Sequence, residues 1–111
     1  MVFLKMNNND LLTKKIELIN LFSIYQNILT DSQKKYFYDH IFLDLSLSEL
    51  SENYNVSRNA IFLAIKNATK KMVDYENKLN ILKKTNQIKK LLDKYLETNN
   101  KEILEKIKEI F

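Results

Sequence analysis

The side chains best suited to hydrogen-bond another macromolecule lie between residues 57 and 71. Arg58 is the only arginine of the chain, and Asn59 follows it directly. An arginine can pair with guanine and an asparagine with adenine, each through a pair of hydrogen bonds. Residues 57–71 carry three lysines besides Arg58 and no acid, whereas residues 31–56 carry five acids against two lysines. This distribution predicts a cationic surface suited to a polyanion.

The elements that would position these residues are a short helix and a longer basic helix joined by a tight turn. The segment "LSELSENYNVSRNAIFLAIK" covers residues 47–66, and its spacing is typical of a DNA-binding helix-turn-helix. Asn55 stands where the turn needs a left-handed residue, a conformation that asparagine tolerates better than most residues. Ser51 stands where many such motifs have alanine. The predicted buried positions are Leu47, Leu50, Tyr54, Val56, Ile61, Ala64 and Ile65. The alternative is a pair of core helices joined by a chance turn.

The second helix of this motif is expected to present a reading face. Ser57 and the start of the helix suit a phosphate, while Arg58 and Asn59 can reach base edges. The lysines would contact the DNA backbone, or they form an ordinary solvated face. Phe62 and Leu63 could touch thymine methyl groups or mark a protein contact. The predicted DNA-binding residues are therefore Ser57, Arg58, Asn59, Phe62, Leu63, Lys66, Lys70 and Lys71.

The rest of the chain is also predicted to be helical. It contains no Gly and no Pro, and residues that favour helices dominate it, so the predicted fold class is all-α. A first helix is expected from an N-cap at Asp10 to about Leu29, and a T-x-x-Q capping box at Thr30 opens a second helix to about Leu43. The other predicted boundaries are a capping box at Ser46, a long recognition helix 58–84 capped by Ser57, a fifth helix 87–96 and a last helix capped by Asn99 with Glu102.

Length and apolar content bound the assembly. The 111 residues are 45% hydrophobic and 29% charged, which predicts one globular domain over 1–111, with a helix-turn-helix core at about 30–80 and a C-terminal extension at about 86–111. Helix one has a broad apolar surface, and an apolar seam runs from Ile61 to Leu82. Either the terminal helices fold back over the same chain, or a second copy covers these surfaces in a homodimer.

Several classes of site are not expected. The chain lacks cysteine, which excludes disulfides, thiolate metal sites and thiol catalysis. His40 is the only histidine and is expected to be an ordinary helix residue, so no catalytic residue, metal site or cofactor is predicted. The start, "MVFLKMNNND", has the pattern of neither a secretory signal nor a membrane span. We therefore expect a cytoplasmic protein that is not inserted in a membrane.

Residues 29–79 resemble the YlxM family of small bacterial helix-turn-helix proteins. The shared patterns are L-T-x-x-Q at residues 29–33, the Y-F pair at 36–37, D-L-S-L-x-E-[IL] at 44–50, N-V-S-R at 55–58 and Y-E-x-K-L at 75–79. That family in turn resembles region 4 of sigma factors, which reads the promoter −35 element. The chain departs from the family at Phe62, Leu63 and Ala64, where an aromatic and an acidic or amide residue are common.

The resemblance implies an all-α, sigma region 4-like fold and a nucleic-acid-binding regulatory role, with double-stranded DNA as the expected partner. It also implies a link to the signal recognition particle pathway, which is inferred from gene neighbourhood. The alternative function is a dimeric protein- or RNA-binding adaptor of that pathway without sequence-specific DNA binding.

Overall fold

The computed structural model describes residues 8–111, with side chains from Leu12 onward. Within that part of the chain there are helices and no strands, which confirms the predicted all-α class. The elements are α1 (Asn8–Tyr25), a short 3-10 helix (Gln26–Ile28), α2 (Asp31–Ile41), α3 (Leu47–Tyr54), α4 (Arg58–Leu79), α5 (Ile81–Thr98) and α6 (Glu102–Ile110). The expectation that the start of the chain is neither a secretory signal nor a membrane span falls mostly on residues 1–7, which lie outside the described residues.

Polar side chains begin α2 and α3, as the capping-box patterns predicted. At α2 the Thr30 hydroxyl accepts the Gln33 N–H at 3.2 Å, and the Gln33 side chain accepts the Thr30 N–H at 3.0 Å. Ser46 and Glu49 exchange the same pair of bonds at 3.0 and 3.1 Å. The bonds from Ser46 also lower the pKa of Glu49 below its ordinary value, because they stabilise the carboxylate.

Residues in the left-handed conformation separate the helices of this chain, which has no glycine. The described residues with positive φ are Asp44, Asn55, Asn80 and Asn99, at 57°, 54°, 55° and 52°. Aspartate and asparagine tolerate this region because their short polar side chains can hydrogen-bond locally. Each of these residues lies between consecutive helices, so Asn and Asp do the work that glycine usually does at helix ends.

Several predicted helix boundaries were wrong because an asparagine takes the left-handed conformation there. Asn80 turns the chain, so α4 ends at Leu79 and α5 begins at Ile81, where a continuous helix to residue 84 was predicted. Asn99 is the C-cap of α5, with its N–H bonded to the Tyr95 carbonyl at 2.7 Å. It therefore does not cap α6, and the Asn100 side chain accepts the Glu102 N–H at 3.0 Å instead.

The start and end of the first helix also differ from the prediction. Within the described residues α1 spans Asn8–Tyr25, so the predicted N-cap Asp10 lies inside the helix. The chain then tightens into the 3-10 helix up to Ile28, next to the predicted end at Leu29. None of the helices in the described part of the chain is long and apolar enough to cross a membrane.

The chain clusters into two compact units, one ending at Lys78 and the other spanning Leu79–Phe111. The single domain over 1–111, with a helix-turn-helix core at about 30–80 and a C-terminal extension at about 86–111, stays a prediction. The first unit holds most of the buried apolar residues, drawn from α1, α2, α3 and α4. Phe22 of α1 stacks on Phe37 of α2 with ring centroids 5.2 Å apart. The second unit is the helix pair α5 and α6, in which Ile103 is the buried residue.

Candidate nucleic-acid interface

The turn between α3 and α4 has the predicted left-handed residue. Asn55 has φ 54° and ψ 46°, and its N–H bonds to the Ser51 carbonyl. The Val56 N–H reaches the same carbonyl at 3.2 Å, and the Ser51 hydroxyl donates to the Val56 carbonyl at 2.5 Å. Ser51 therefore closes the turn with both its main chain and its side chain, a role that an alanine at this position could fill only in part.

Helix α3 is fixed to α2 at its C-terminal end. The Tyr54 hydroxyl donates to the Asp39 carboxylate, and the Tyr54 ring lies 5.0 Å from the Tyr36 ring, centroid to centroid. The Lys35 ammonium lies 5.3 Å from the centre of the Tyr54 ring. The hydrogen bond to Asp39, with some loss of solvation, raises the pKa of Tyr54 to about 12, since both favour the neutral phenol. These contacts hold the helix that precedes the turn.

The start of α4 is capped but carries no acid. The Ser57 hydroxyl accepts the Ala60 N–H at 3.0 Å, as expected of an N-cap serine. Helices α2 and α3 have Asp31 and Glu49 in their first turns, whereas the first turn of α4 has none and begins with Arg58. The positive end of the α4 dipole is therefore not neutralised by the helix itself and favours an external anion.

The inner side of α4 builds the core of the first unit, and this orients the outer side. Ile61, Ile65, Ala68 and Met72 are buried, each at most 1% exposed. At about 100° per residue, Asn59, Leu63, Lys66 and Lys70 fall on the opposite side, within about 60° of one another. We call these four residues the outer arc. All four are exposed, and Leu63 is 43% exposed.

Few contacts within the chain restrain the outer arc. Among the described residues, the side chains of Asn59 and Lys66 make no hydrogen bond or ion pair, and neither does the side chain of Arg58. Lys70 pairs with Asp74 at 3.0 Å, but both side chains are more than half exposed, so the pair contributes little. The structure thus brings Asn59, Leu63, Lys66 and Lys70 onto one accessible surface. Arg58 is exposed as well, but it falls about 80° from Lys66 around the helix axis, outside the outer arc.

Two further predicted site residues, Lys71 and Phe62, lie outside this surface. The Lys71 ammonium donates to the Ile28 carbonyl and to the Gln33 side chain, both at 3.4 Å. Lys71 is half-buried and joins α4 to the junction between α1 and α2, so it does not extend the outer arc. Phe62 is also half-buried and lies at the edge of the outer arc, whereas Leu63 lies within it.

The sequence prediction missed Asn67 as a neighbour of the outer arc. Asn67 is exposed, and it follows Leu63 by four residues and precedes Lys70 by three, the spacings at which helix side chains are adjacent. That spacing could have identified it. An amide at this place adds a donor and an acceptor between the apolar residue and the lysine.

The remaining candidate sites of the chain have structural roles. His40 Nδ1 lies 2.7 Å from the Leu45 carbonyl, so this nitrogen carries the proton and supports the loop between α2 and α3. No group of three or more His, Cys, Asp or Glu side chains in the described residues could hold a metal ion.

Comparisons with known proteins identify a family. The family model described as "Putative helix-turn-helix protein, YlxM / p13 like" matches residues 12–110. A probable UPF0122 protein of Mycoplasma mycoides is 39% identical over 105 residues, which are 92% of each chain. A UPF0122 protein of Fusobacterium nucleatum is 43% identical over 97 residues, 87% of this chain and 94% of that one. One from Listeria innocua is 37% identical over 99 residues, 81% of this chain and 90% of its own.

Proposed function

Since the chain belongs to the YlxM / p13 like helix-turn-helix family (UPF0122), we propose that it is a regulatory protein that binds double-stranded DNA through α4. The observation that carries this proposal is the outer arc, an accessible and cationic side of a helix whose other side is buried. The major groove of B-DNA is wide enough to admit such a helix. The turn at Asn55 sets the direction in which α4 would enter it.

The exposed residues divide into two roles. Arg58 and Asn59 lie at the start of α4, where helix-turn-helix proteins reach base edges, and they can pair with guanine and adenine. Leu63 can contact a thymine methyl group. Lys66 and Lys70, with the uncompensated start of α4 near Ser57, would bind phosphates and supply affinity that does not depend on base sequence. Lys71 has no part in this proposal, because its ammonium is engaged within the chain.

A second candidate function follows from Leu63. An exposed leucine in the middle of the outer arc also suits a protein contact, as the adaptor alternative requires. In that case the protein would bind a component of the signal recognition particle pathway, and Leu63 with the edge of Phe62 would form the centre of the contact. Both candidates are compatible with the expected homodimer and with a cytoplasmic location.

Salt dependence of binding separates the two candidates. We would measure fluorescence anisotropy of labelled mixed-sequence duplex DNA over a series of salt concentrations, with the wild type and with Lys66→Glu/Lys70→Glu. Phosphate binding by these lysines predicts a strong loss of affinity in the variant, and a salt slope smaller by about 2. The adaptor function predicts little DNA binding by either protein.

A matched control distinguishes a local effect from a change in net charge. Lys90→Glu/Lys94→Glu on α5 alters the charge of the chain by the same amount at two other exposed positions. We expect this control to bind DNA nearly as well as the wild type. If the α4 variant binds as tightly as the wild type, or if both variants lose affinity equally, α4 is not the DNA-binding helix.

A further inference from the structure

The second unit, Leu79–Phe111, has apolar surface that its own two helices do not bury. Helix α5 has no buried residue, and α6 contributes Ile103. The unit is shorter than the roughly 40 residues below which a chain seldom holds a core by itself. Its exposed large apolar residues are Leu79, Ile81, Leu92, Leu96, Leu104 and Phe111. Such a surface on so small a unit indicates an interface.

Helix α5 has two adjacent apolar sides. Ile88, Leu91 and Tyr95 fall within about 60° on one side and are half-buried, as expected of the side that faces α6. The next side carries Ile81, Leu92 and Leu96, also within about 60°. These three residues, which we call the α5 stripe, are 40%, 42% and 75% exposed. The stripe is therefore left over after α6 has packed.

Helix α6 cannot cover both apolar sides of α5. Helix α5 has 18 residues and α6 has 9, so at about 1.5 Å per residue they are about 27 Å and about 13.5 Å long. A single helix packs along only one side of its neighbour, and α6 reaches only about half the length of that side. A second pair of helices could cover the stripe, since four helices pack around a common core in a bundle.

The charges of α5 favour a second copy of the same chain as that partner. Lys83, Lys90 and Lys94 are exposed and fall within about 40° of one another, on the side opposite the stripe. Two copies that meet through their stripes would keep these lysines in water and far apart. Beside the stripe, Lys89 and Asp93 are of opposite charge, so its border does not favour a polyanion.

We propose that the α5 stripe is the interface of a homodimer, in which the α5 and α6 pairs of two copies associate around a two-fold axis. Leu96 would lie in the contact, and Leu104, just beyond the turn that follows α5, would extend it. This interface uses no residue of the outer arc of α4. The proposal therefore does not depend on DNA binding.

The test is the mass of the full-length protein in solution. We would use sedimentation velocity at micromolar concentration on the wild type, on Leu92→Glu/Leu96→Glu, and on Gln87→Glu as a control. Gln87 is exposed on another side of α5, so this control adds a carboxylate to the same helix outside the stripe. Circular dichroism at 222 nm reports whether each variant keeps its helices.

The expected result is a wild-type mass near twice 13.3 kDa, the mass of one chain for the double variant, and a dimer for Gln87→Glu. We expect most of the helical signal of the double variant to persist, because the first unit has its own core and both substituted side chains are exposed within a single chain. Should its helices melt, the milder Leu96→Ser variant at the most exposed position replaces it. A monomeric wild type would overturn the proposal and leave the stripe to its own chain or to solvent. A double variant that remains a dimer would overturn it as well.

Discussion

Replacement of Asn55 by valine tests whether the left-handed turn residue sets the stability of the helix-turn-helix. Asn55 has φ 54°, a region that costs an ordinary L-residue roughly 1–2 kcal/mol and is especially unfavourable for a β-branched side chain. We therefore expect Asn55→Val to lower the free energy of unfolding by about 1–2 kcal/mol. With an m value of about 1.5 kcal/mol per M, the urea midpoint falls by about 1 M.

Two further variants isolate the backbone conformation from the change of side chain. Asn67→Val makes the same substitution at an exposed position inside α4, where asparagine and valine have similar helix propensities, so we expect almost no change in stability. Asn55→Gly keeps the left-handed conformation accessible, and its cost is about 0.5–1 kcal/mol at most, from the freer unfolded chain. Urea unfolding followed by circular dichroism at 222 nm measures all three. Equal midpoints for Asn55→Val and Asn67→Val would refute the reasoning.

Three other outcomes are expected. Ser51→Ala should lower stability by about 0.5–1.5 kcal/mol in urea unfolding, since it removes the hydroxyl donated to Val56, and an unchanged midpoint would contradict this. In an absorbance titration at 295 nm, which follows ionisation of tyrosine, Tyr54→Phe should lack the step with pKa about 12. Because this pKa is raised in the folded state, the stabilisation by the Tyr54 phenol is complete below about pH 10 and is lost as pH rises through about 12. Lys71→Ala should reduce DNA affinity less than Lys66→Ala in the anisotropy assay, because Lys71 is held by Ile28 and Gln33, and the reverse order would place the binding surface elsewhere.

Local patterns in the sequence were sufficient for the elements that depend on near neighbours. The capping boxes at Thr30 and Ser46 were predicted correctly because both partners lie three residues apart and need no other part of the fold. The turn at Asn55 was predictable because a serine cap follows it at Ser57 and apolar residues flank it at fixed distances. The exposed side of α4 followed from the period of its buried residues.

The features that the sequence did not predict are the end of α4 and the contacts of Lys71. The first depends on the choice between two conformations of asparagine, and the second depends on contacts between distant residues. Asn67 and Asn77 are helical, whereas Asn80 is left-handed, and the apolar spacing runs on past Asn80 as though the helix continued. Lys71 is predicted to contact the DNA backbone because it belongs to the acid-free basic stretch 57–71. Only the position of the α1–α2 junction shows that its ammonium has acceptors in the chain.

The left-handed Asp and Asn residues have a consequence for the gene as well as for the protein. Glycine codons have guanine at their first two positions, whereas asparagine codons have adenine at both and aspartate codons have adenine at the second. The turns between helices at Asp44, Asn55, Asn80 and Asn99 can therefore be encoded by a gene that is poor in guanine and cytosine. Mutation toward adenine and thymine would be tolerated at these positions. In a protein that uses glycine there, the same mutations would replace a residue that the left-handed conformation favours.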